Sequence, residues 1–129
     1  MVIDTSAILA WLKEEPERAR IVAALEAHGA RRLSAVSLLE AEIVVRAREH
    51  PALFEKLQRF LEEIDAIVTP FDETQARLAA DAFHRYGKGQ GHPAQLNMGD
   101  CAVYALAKTL NEPLLFVGND FIHTDVEPC

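Results

Sequence analysis

The sequence predicts an α/β fold with a parallel sheet, on three observations. Short apolar runs of strand length alternate with longer stretches of helical periodicity. The 129 residues hold no repeat, low-complexity segment or Ser/Gly-rich linker, which fits a single domain over residues 1–129. Acidic residues recur where strands end or helices begin, at Asp4, Glu40, Asp100 and Asp120.

Val2-Ile3 opens as a strand that ends at Asp4. Residues 5–13 carry on as a helix, with Ile8, Leu9 and Leu12 at helical spacing. Pro16 suits the first turn of a second helix, which runs to about His28 before Gly29. Residues 33–36 read as a strand, 37–49 as a helix stopped near Pro51, and 53–64 as another helix. A short strand over 66–69 is closed by Pro70. Asp72 and Gln75 have capping-box spacing at the start of a helix that runs to about Tyr86. The glycine-rich stretch 87–99 is the one long irregular segment, and such loops in compact domains tend to carry function. A strongly apolar helix over 100–110 ends at Pro113, and a strand over 114–117 leads into the turn Gly118-Asn119-Asp120. Residues 124–126 suit a last edge strand.

Hydrophobic residues make up 50% of the chain, enough for a core that needs no disulfide or structural metal. Cys101 lies in an apolar run and Cys129 is the last residue; neither has a zinc-site partner such as C-x-x-C. Both read as reduced thiols in a reducing compartment, with a bridge between them as the alternative, for which a terminal residue is a poor anchor. No stretch approaches the length of a membrane span. The start, Met1-Val-Ile-Asp4, lacks the positive charge of a signal peptide. The expectation is a cytoplasmic protein without a membrane partner. A net charge of -7 argues against a simple basic nucleic-acid clamp. Basic residues are nonetheless grouped, at Arg18 and Arg20, Arg31 and Arg32, and Arg46 and Arg48.

Each acid has a structural reading beside the functional one. Asp4 suits a helix N-cap, and Ser6 is placed to hold its carboxylate or to cap the helix itself. Ser37-Leu-Leu-Glu40 has capping-box spacing. Glu42 is the rival to Glu40, but it shares a solvated stripe with Arg46 and Glu49, whereas Glu40 falls with Ile43, Val44 and Ala47 on a stripe expected to face inward. That spacing favours Glu40. Asp100, after Gly99, is also favourable charge at a positive helix end, worth about 0.3–1 kcal/mol. Asp120 and Asp125 each suit a turn or a strand end.

Together these acids make a carboxylate cluster at the carboxyl ends of the strands, where open parallel sheets bind ligands. Crowded carboxylates repel unless a cation sits among them. Oxygen donors without a His/Cys set point to Mg²⁺, with Mn²⁺ as substitute, rather than zinc.

The segments Met1-Val-Ile-Asp4-Thr5-Ser6-Ala7, Leu33-Ser-Ala-Val-Ser-Leu-Leu-Glu40, Leu96-Asn-Met-Gly-Asp-Cys-Ala102 with Tyr104-Ala-Leu-Ala107, and Leu115-Phe-Val-Gly-Asn-Asp-Phe121 with Thr124-Asp125 resemble the successive motifs of PIN-domain VapC-type toxins. The resemblance covers nearly the whole chain, in order. The loop Tyr86-Gly-Lys-Gly with His92-Pro93 and Leu96-Asn97 is similar to one VapC subgroup. It implies an α/β/α sandwich around a parallel sheet of four to five strands. It implies an endoribonuclease toxin of a type II toxin–antitoxin system, with Asp4, Glu40, Asp100 and Asp120 as catalytic acids and Asp4 and Asp100 on the metal. Asp125 stays as the alternative to Asp120, because the last acid varies in the family. The implied partners are an RNA substrate, a VapB-type antitoxin and a second copy of the chain. Hydrolysis by a metal-activated water would leave a 5′-phosphate and a 3′-hydroxyl. Lys88, His92 and Lys13 are candidates to hold RNA phosphates, against a plain reading as solvated surface or, for Lys13, as charge at a helix end.

Three rivals read less well. A phosphotransfer receiver needs paired acids after its first strand and a lysine after a late one; here the first strand supplies only Asp4, and Gly118-Asn119 follows the last. An adhesion module of D-x-S-x-S type lacks its second serine, since Ile8 stands there. An inactive PIN fold kept for binding is disfavoured by the intact acidic set. Gly87-Lys-Gly-Gln-Gly91 follows a helix and is not a phosphate loop. Trp11 reads as a core or dimer contact, and His28, His50, His84 and His123 form no ligand set.

Overall fold

The structure, a computed structural model, describes every residue except position 49. The elements run β1 (Val2–Ile3), α1 (Thr5–Leu12), α2 (Arg18–Ala27), β2 (Arg32–Ser34), α3 (Ala35–Arg48), α4 (Pro51–Glu63), β3 (Ile67–Thr69), α5 (Glu73–Tyr86), α6 (Met98–Leu110) and β4 (Leu114–Leu115). The described strands form one sheet in the order β3-β2-β1-β4, with every pairing parallel.

Strand alternation splits the core into two layers. Ile3, Leu33 and Leu115 point to one face, where they meet Ile8, Ile21, Val45, Leu57 and Phe60 from α1 to α4. Val2 and Leu114 point to the other, against Ala82 of α5 and Val103 and Leu106 of α6. The result is the expected α/β/α sandwich. Trp11 stacks on Phe60 with ring centroids 4.2 Å apart, so it is a core contact.

Several boundaries differ from the sequence expectations, each for a local reason. Strand β2 ends at Ser34 rather than at 36, because the Ser34 hydroxyl accepts from the Val36 amide at 3.2 Å and starts α3 there. Helix α4 starts at Pro51, capped by His50 Nδ1 accepting from the Ala52 amide. Helix α6 starts at Met98 rather than at 100, because Asn97 caps it: its side chain accepts from the Asp100 amide, and Asp100 accepts from the Asn97 amide.

The strand expected over 124–126 does not form among the described residues. Thr124 Oγ1 donates to the Phe121 carbonyl and folds the segment into a turn. Only an isolated parallel bridge, Leu114 to Pro128, extends the sheet beyond β4. Cys101 and Cys129 are free thiols, the first buried in α6 and the second packed against Met1. No described helix is long and apolar enough to cross a membrane.

Candidate active site

The carboxyl ends of β1 and β4 and the amino ends of α3 and α6 bring acids from distant segments together. Asp4 leaves β1 as the N-cap of α1, with Oδ2 accepting from the Ser6 amide at 2.9 Å. The Ser6 hydroxyl donates to the same oxygen and accepts from the Val117 amide at 3.0 Å. Ser6 therefore ties the Asp4 carboxylate to the end of β4, and the capping and functional readings of Asp4 coexist. Asp4 is 5% exposed, and burial, with Glu40 adding repulsion, pushes its pKa up despite the Ser6 hydrogen bonds.

Glu40 is half-buried on α3, but the capping box with Ser37 is not realised, because the helix has already begun at Ala35. Instead, Glu40 Oε2 accepts from the Thr5 hydroxyl at 3.1 Å, and the same hydroxyl lies 3.3 Å from the Ser37 carbonyl. The stripe assignment also needs correction. The inward stripe of α3 is Ser37, Ala41 and Val45, whereas Ile43 is exposed. Glu40 sits on the helix flank, where a carboxylate can be held without full desolvation. Glu42 pairs with Arg46 at 3.7 Å as a solvated i,i+4 pair; its expected neighbour Glu49 lies outside the described residues.

Asp100 is the third residue of α6 and uses Oδ2 in the capping box with Asn97, at 2.8 Å. Its pKa is raised from 3.8 to about 7, first by desolvation and then by the charges of Asp4, Asp120 and Glu40, against the Asn97 hydrogen bond. Those neighbours are the acids that the sequence singled out. Asp120 is exposed, in the turn after β4. Asp125 is elsewhere: it accepts from the Tyr104 hydroxyl at 2.6 Å and pairs with Lys108 at 3.1 Å, and these donors hold its carboxyl below the usual range.

Gly99 lies against Glu40. A Cβ at position 99 would stand 2.9 Å from Glu40 Oε2 and 3.3 Å from Asn97 Oδ1. Thr5 and Gly99 thus position Glu40, and sequence reading missed both roles. The Thr5 hydroxyl two residues before Ala7 carries no spacing signal, and Gly99 reads there only as a helix entry.

Among the described residues, no three His, Cys, Asp or Glu side chains are arranged to hold one ion together. A cation bound directly by one or two carboxylates, with water filling its other positions, fits this donor set, and that is the habit of Mg²⁺.

The cationic candidates are dispersed. Lys88 is exposed in the glycine loop, whose ends are bridged at Gly87 and Leu96. His92 packs edge-on against Tyr86 at 4.9 Å and caps the Ala94 amide through Nδ1. Lys13 is exposed at the C-cap of α1. Much of the grouped arginine charge has structural work. Arg20 donates to the Phe116 and Cys129 carbonyls, Arg31 to the Leu25 carbonyl, and Arg32 pairs with Glu112.

The whole-chain likeness confirms the family. The PIN domain model matches residues 1–127. The chain is a PIN-domain protein of the VapC family. Ribonuclease VapC28 of Mycobacterium tuberculosis is 48% identical over 127 residues, covering 98% of this chain and 96% of that protein. Ribonuclease VapC42 of the same species is 42% identical over 129 residues, covering 100% of this chain and 98% of that protein. The fold matches solved VapC structures. VapBC2 of Rickettsia felis, bound to a promoter DNA fragment, superposes with a TM-score of 0.75 at 14% identity, over 98% of this chain and 94% of that one. VapC20 of M. tuberculosis, described as a sarcin-ricin-loop-cleaving toxin, gives 0.72 at 15% identity, over 98% of both chains.

Proposed function

We propose that this VapC-family protein is a Mg²⁺-dependent endoribonuclease and the toxin of a type II toxin–antitoxin pair. The observation that carries the reading is Asp100, a partly buried carboxylate crowded by Asp4, Glu40 and Asp120 from three other segments. Such a group favours either a proton or a cation. The ribonuclease names of relatives above 40% identity supply the substrate class.

Asp4 and Asp100 would hold the cation, with Glu40 and Asp120 acting on its waters. When bound, Mg²⁺ or Mn²⁺ supplies Lewis-acid polarisation of the phosphoryl group and makes water more acidic. Glu40, fixed by Thr5 against Gly99, orients the attacking water and takes its proton. Attack at phosphorus breaks the bond to the 3′ oxygen, which takes a proton from solvent, leaving a 5′-phosphate and a 3′-hydroxyl. Lys88, His92 and Lys13 are offered as phosphate contacts; the net charge of -7 then matters less, since part of it is the site itself.

The partner reading has two parts. VapB-type antitoxin is the expected inhibitor, because structural neighbours include a VapBC complex and a toxin–antitoxin complex from Klebsiella pneumoniae. A second copy of the chain is expected on the apolar surface around Leu39, Ile43 and Met98, which are 60%, 56% and 80% exposed. That groove also includes Glu40 and Gly99, so a dimer there sets two acidic sites side by side.

The test is cleavage of a mixed RNA pool by the antitoxin-free protein, with Mg²⁺, with Mn²⁺ and with EDTA, beside Asp100→Asn. Discrete, metal-dependent products that a folded Asp100→Asn loses support the reading. Cleavage that survives both EDTA and the substitution, or no cleavage of any pool, removes it and favours a binding module.

A further inference from the structure

Two loops flank the acidic site, and both are tied to one carboxylate that stands outside the acid cluster. Asp125 Oδ1 accepts from the Tyr104 hydroxyl at 2.6 Å and from the Tyr86 hydroxyl at 3.4 Å. Tyr86 ends α5 and forms the base of the glycine loop: its carbonyl accepts from the Leu96 amide at 2.9 Å, and its ring carries His92. Tyr104 lies one helical turn beyond Asp100 on α6. Asp125 follows directly on the turn that bears Asp120, which Thr124 closes onto the Phe121 carbonyl and whose Phe121 is buried against Phe116.

Both tyrosines are buried, and a buried phenol needs an acceptor. Asp125 serves both, and it is the point where the two loops and α6 meet. The loop beyond Tyr86 needs such an anchor: Gly89 and Gly91 take positive φ, 81° and 75°, and are exposed. The loop's other holds are the backbone pairing of Lys88 with Leu96, the Gln90 amide on the Gly87 carbonyl and the buried Ala94 and Leu96, all of which start from the Tyr86 end.

We propose that Asp125 is a positioning residue: with Tyr104 and Tyr86 it clasps the glycine loop and the Asp120-bearing turn to α6, so that both present to an RNA strand in fixed register. The substrate half of this rests on the nuclease reading; the clasp itself does not.

The experiment compares Asp125→Ala, Asp125→Asn, Tyr104→Phe and Lys108→Ala with the parent chain. One arm follows tryptic cleavage after Lys88 in the folded protein. Asp125→Ala and Tyr104→Phe are expected to speed it about tenfold, the population change from losing one charge-assisted hydrogen bond. Asp125→Asn, which keeps an acceptor oxygen, recovers most of the protection. Lys108→Ala removes the exposed contacts to Asp125 Oδ2 and to its carbonyl, leaves the Tyr86 and Tyr104 hydrogen bonds to Oδ1 in place, and leaves the rate unchanged. The second arm measures RNA cleavage against substrate and Mg²⁺ concentration. Asp125→Ala is expected to raise KM about five- to tenfold, with kcat and the Mg²⁺ midpoint nearly unchanged.

Unchanged Lys88 cleavage in both Asp125→Ala and Tyr104→Phe overturns the clasp. A collapse of kcat with a shifted Mg²⁺ midpoint overturns it too, and makes Asp125 a metal ligand. If Asp125→Ala does not fold, Tyr104→Phe carries both arms. If the parent chain cleaves no RNA, the nuclease reading falls, and the tryptic arm alone decides the clasp.

Discussion

Glu40 and Gly99 meet so closely that a Cβ at position 99 would stand 2.9 Å from Glu40 Oε2, and any larger residue there moves the carboxylate. The contact joins α3 to the first turn of α6 beside Asp100. It makes the glycine a determinant of where a carboxylate sits, rather than of how the chain turns.

Gly99→Ala separates activity from stability. Position 99 is helical, and alanine there gains about 0.5–1 kcal/mol of helix propensity. Glu40 must give way to the new methyl group. Displacing a catalytic carboxylate by a fraction of an ångström costs on the order of tenfold to a hundredfold in rate. The expected result is an unchanged or raised Tm with RNA cleavage lowered by that factor. Full activity in Gly99→Ala would show that the position of Glu40 does not matter.

Thr5→Val tests the other hold on Glu40. The hydroxyl donates to Glu40 and is buried beside the Ser37 carbonyl. Valine keeps the shape and drops the donor, for a loss of about 1 kcal/mol of stability. Cleavage is expected to fall several-fold while Thr5→Ser keeps most of it. Thermal melts of both variants, run beside the rates, separate the two effects.

Much of this was legible in the sequence, and what was not has physical reasons. Asp4, Asp100 and Asp120 stand at or just beyond element ends, which strand–helix punctuation marks, whereas Glu40 lies in the second turn of α3. The capping signals at Asp72 and Pro113 likewise place α5 and the end of α6 correctly. Helix α6 starts earlier than expected because Asn97 caps it; the signal, a favoured N-cap residue with an acid three positions on, lies inside the glycine-rich loop, where Asp100 reads as the first helical residue. The inward stripe of α3 differs from the expected Glu40, Ile43, Val44 and Ala47 because Ile43 and Ala47 are apolar yet exposed, and periodicity assigns every apolar residue to the core. Asp125 resembled a last site acid. Only tertiary structure shows that its partners are Tyr104 and Tyr86.

That exposed stripe makes its own prediction. Leu39, Ile43 and Met98 form an apolar surface continuous with a cavity of about 320 Å³ lined by Phe71, Phe83 and Met98. A charge placed there should oppose self-association without touching the core. Ile43→Glu is expected to sediment as a monomer with a near-normal Tm, and the parent chain is expected to sediment as a dimer. A monomeric parent chain at tens of micromolar would reassign this surface.

The raised carboxyl pKa values predict how stability follows pH without metal. Asp100 keeps its proton to about pH 7 in the folded chain but only to about 3.8 when unfolded, and Asp4 shifts in the same direction. Between those limits the folded state binds more protons than the unfolded state, so stability falls as pH rises. Glu14, Glu112 and Asp125 shift the opposite way, but their ordinary values are 4.5 or below, so they change little above pH 5. Asp100 is partly exposed, and solvent screening reduces its contribution to about 1–2 kcal/mol, or roughly 3–8 °C in Tm. The metal-free protein should therefore melt lower at pH 8 than at pH 5, and Asp100→Asn should shrink that difference to the part Asp4 contributes while raising the melting temperature at pH 8. Mg²⁺ at pH 8 should restore the parent chain and leave Asp100→Asn nearly unmoved, because the cation and the proton relieve the same crowding. A parent chain whose Tm is flat or rising from pH 5 to 8, matched by the variant, would mean that neither burial nor the neighbouring carboxylates raise the Asp100 pKa in the folded protein.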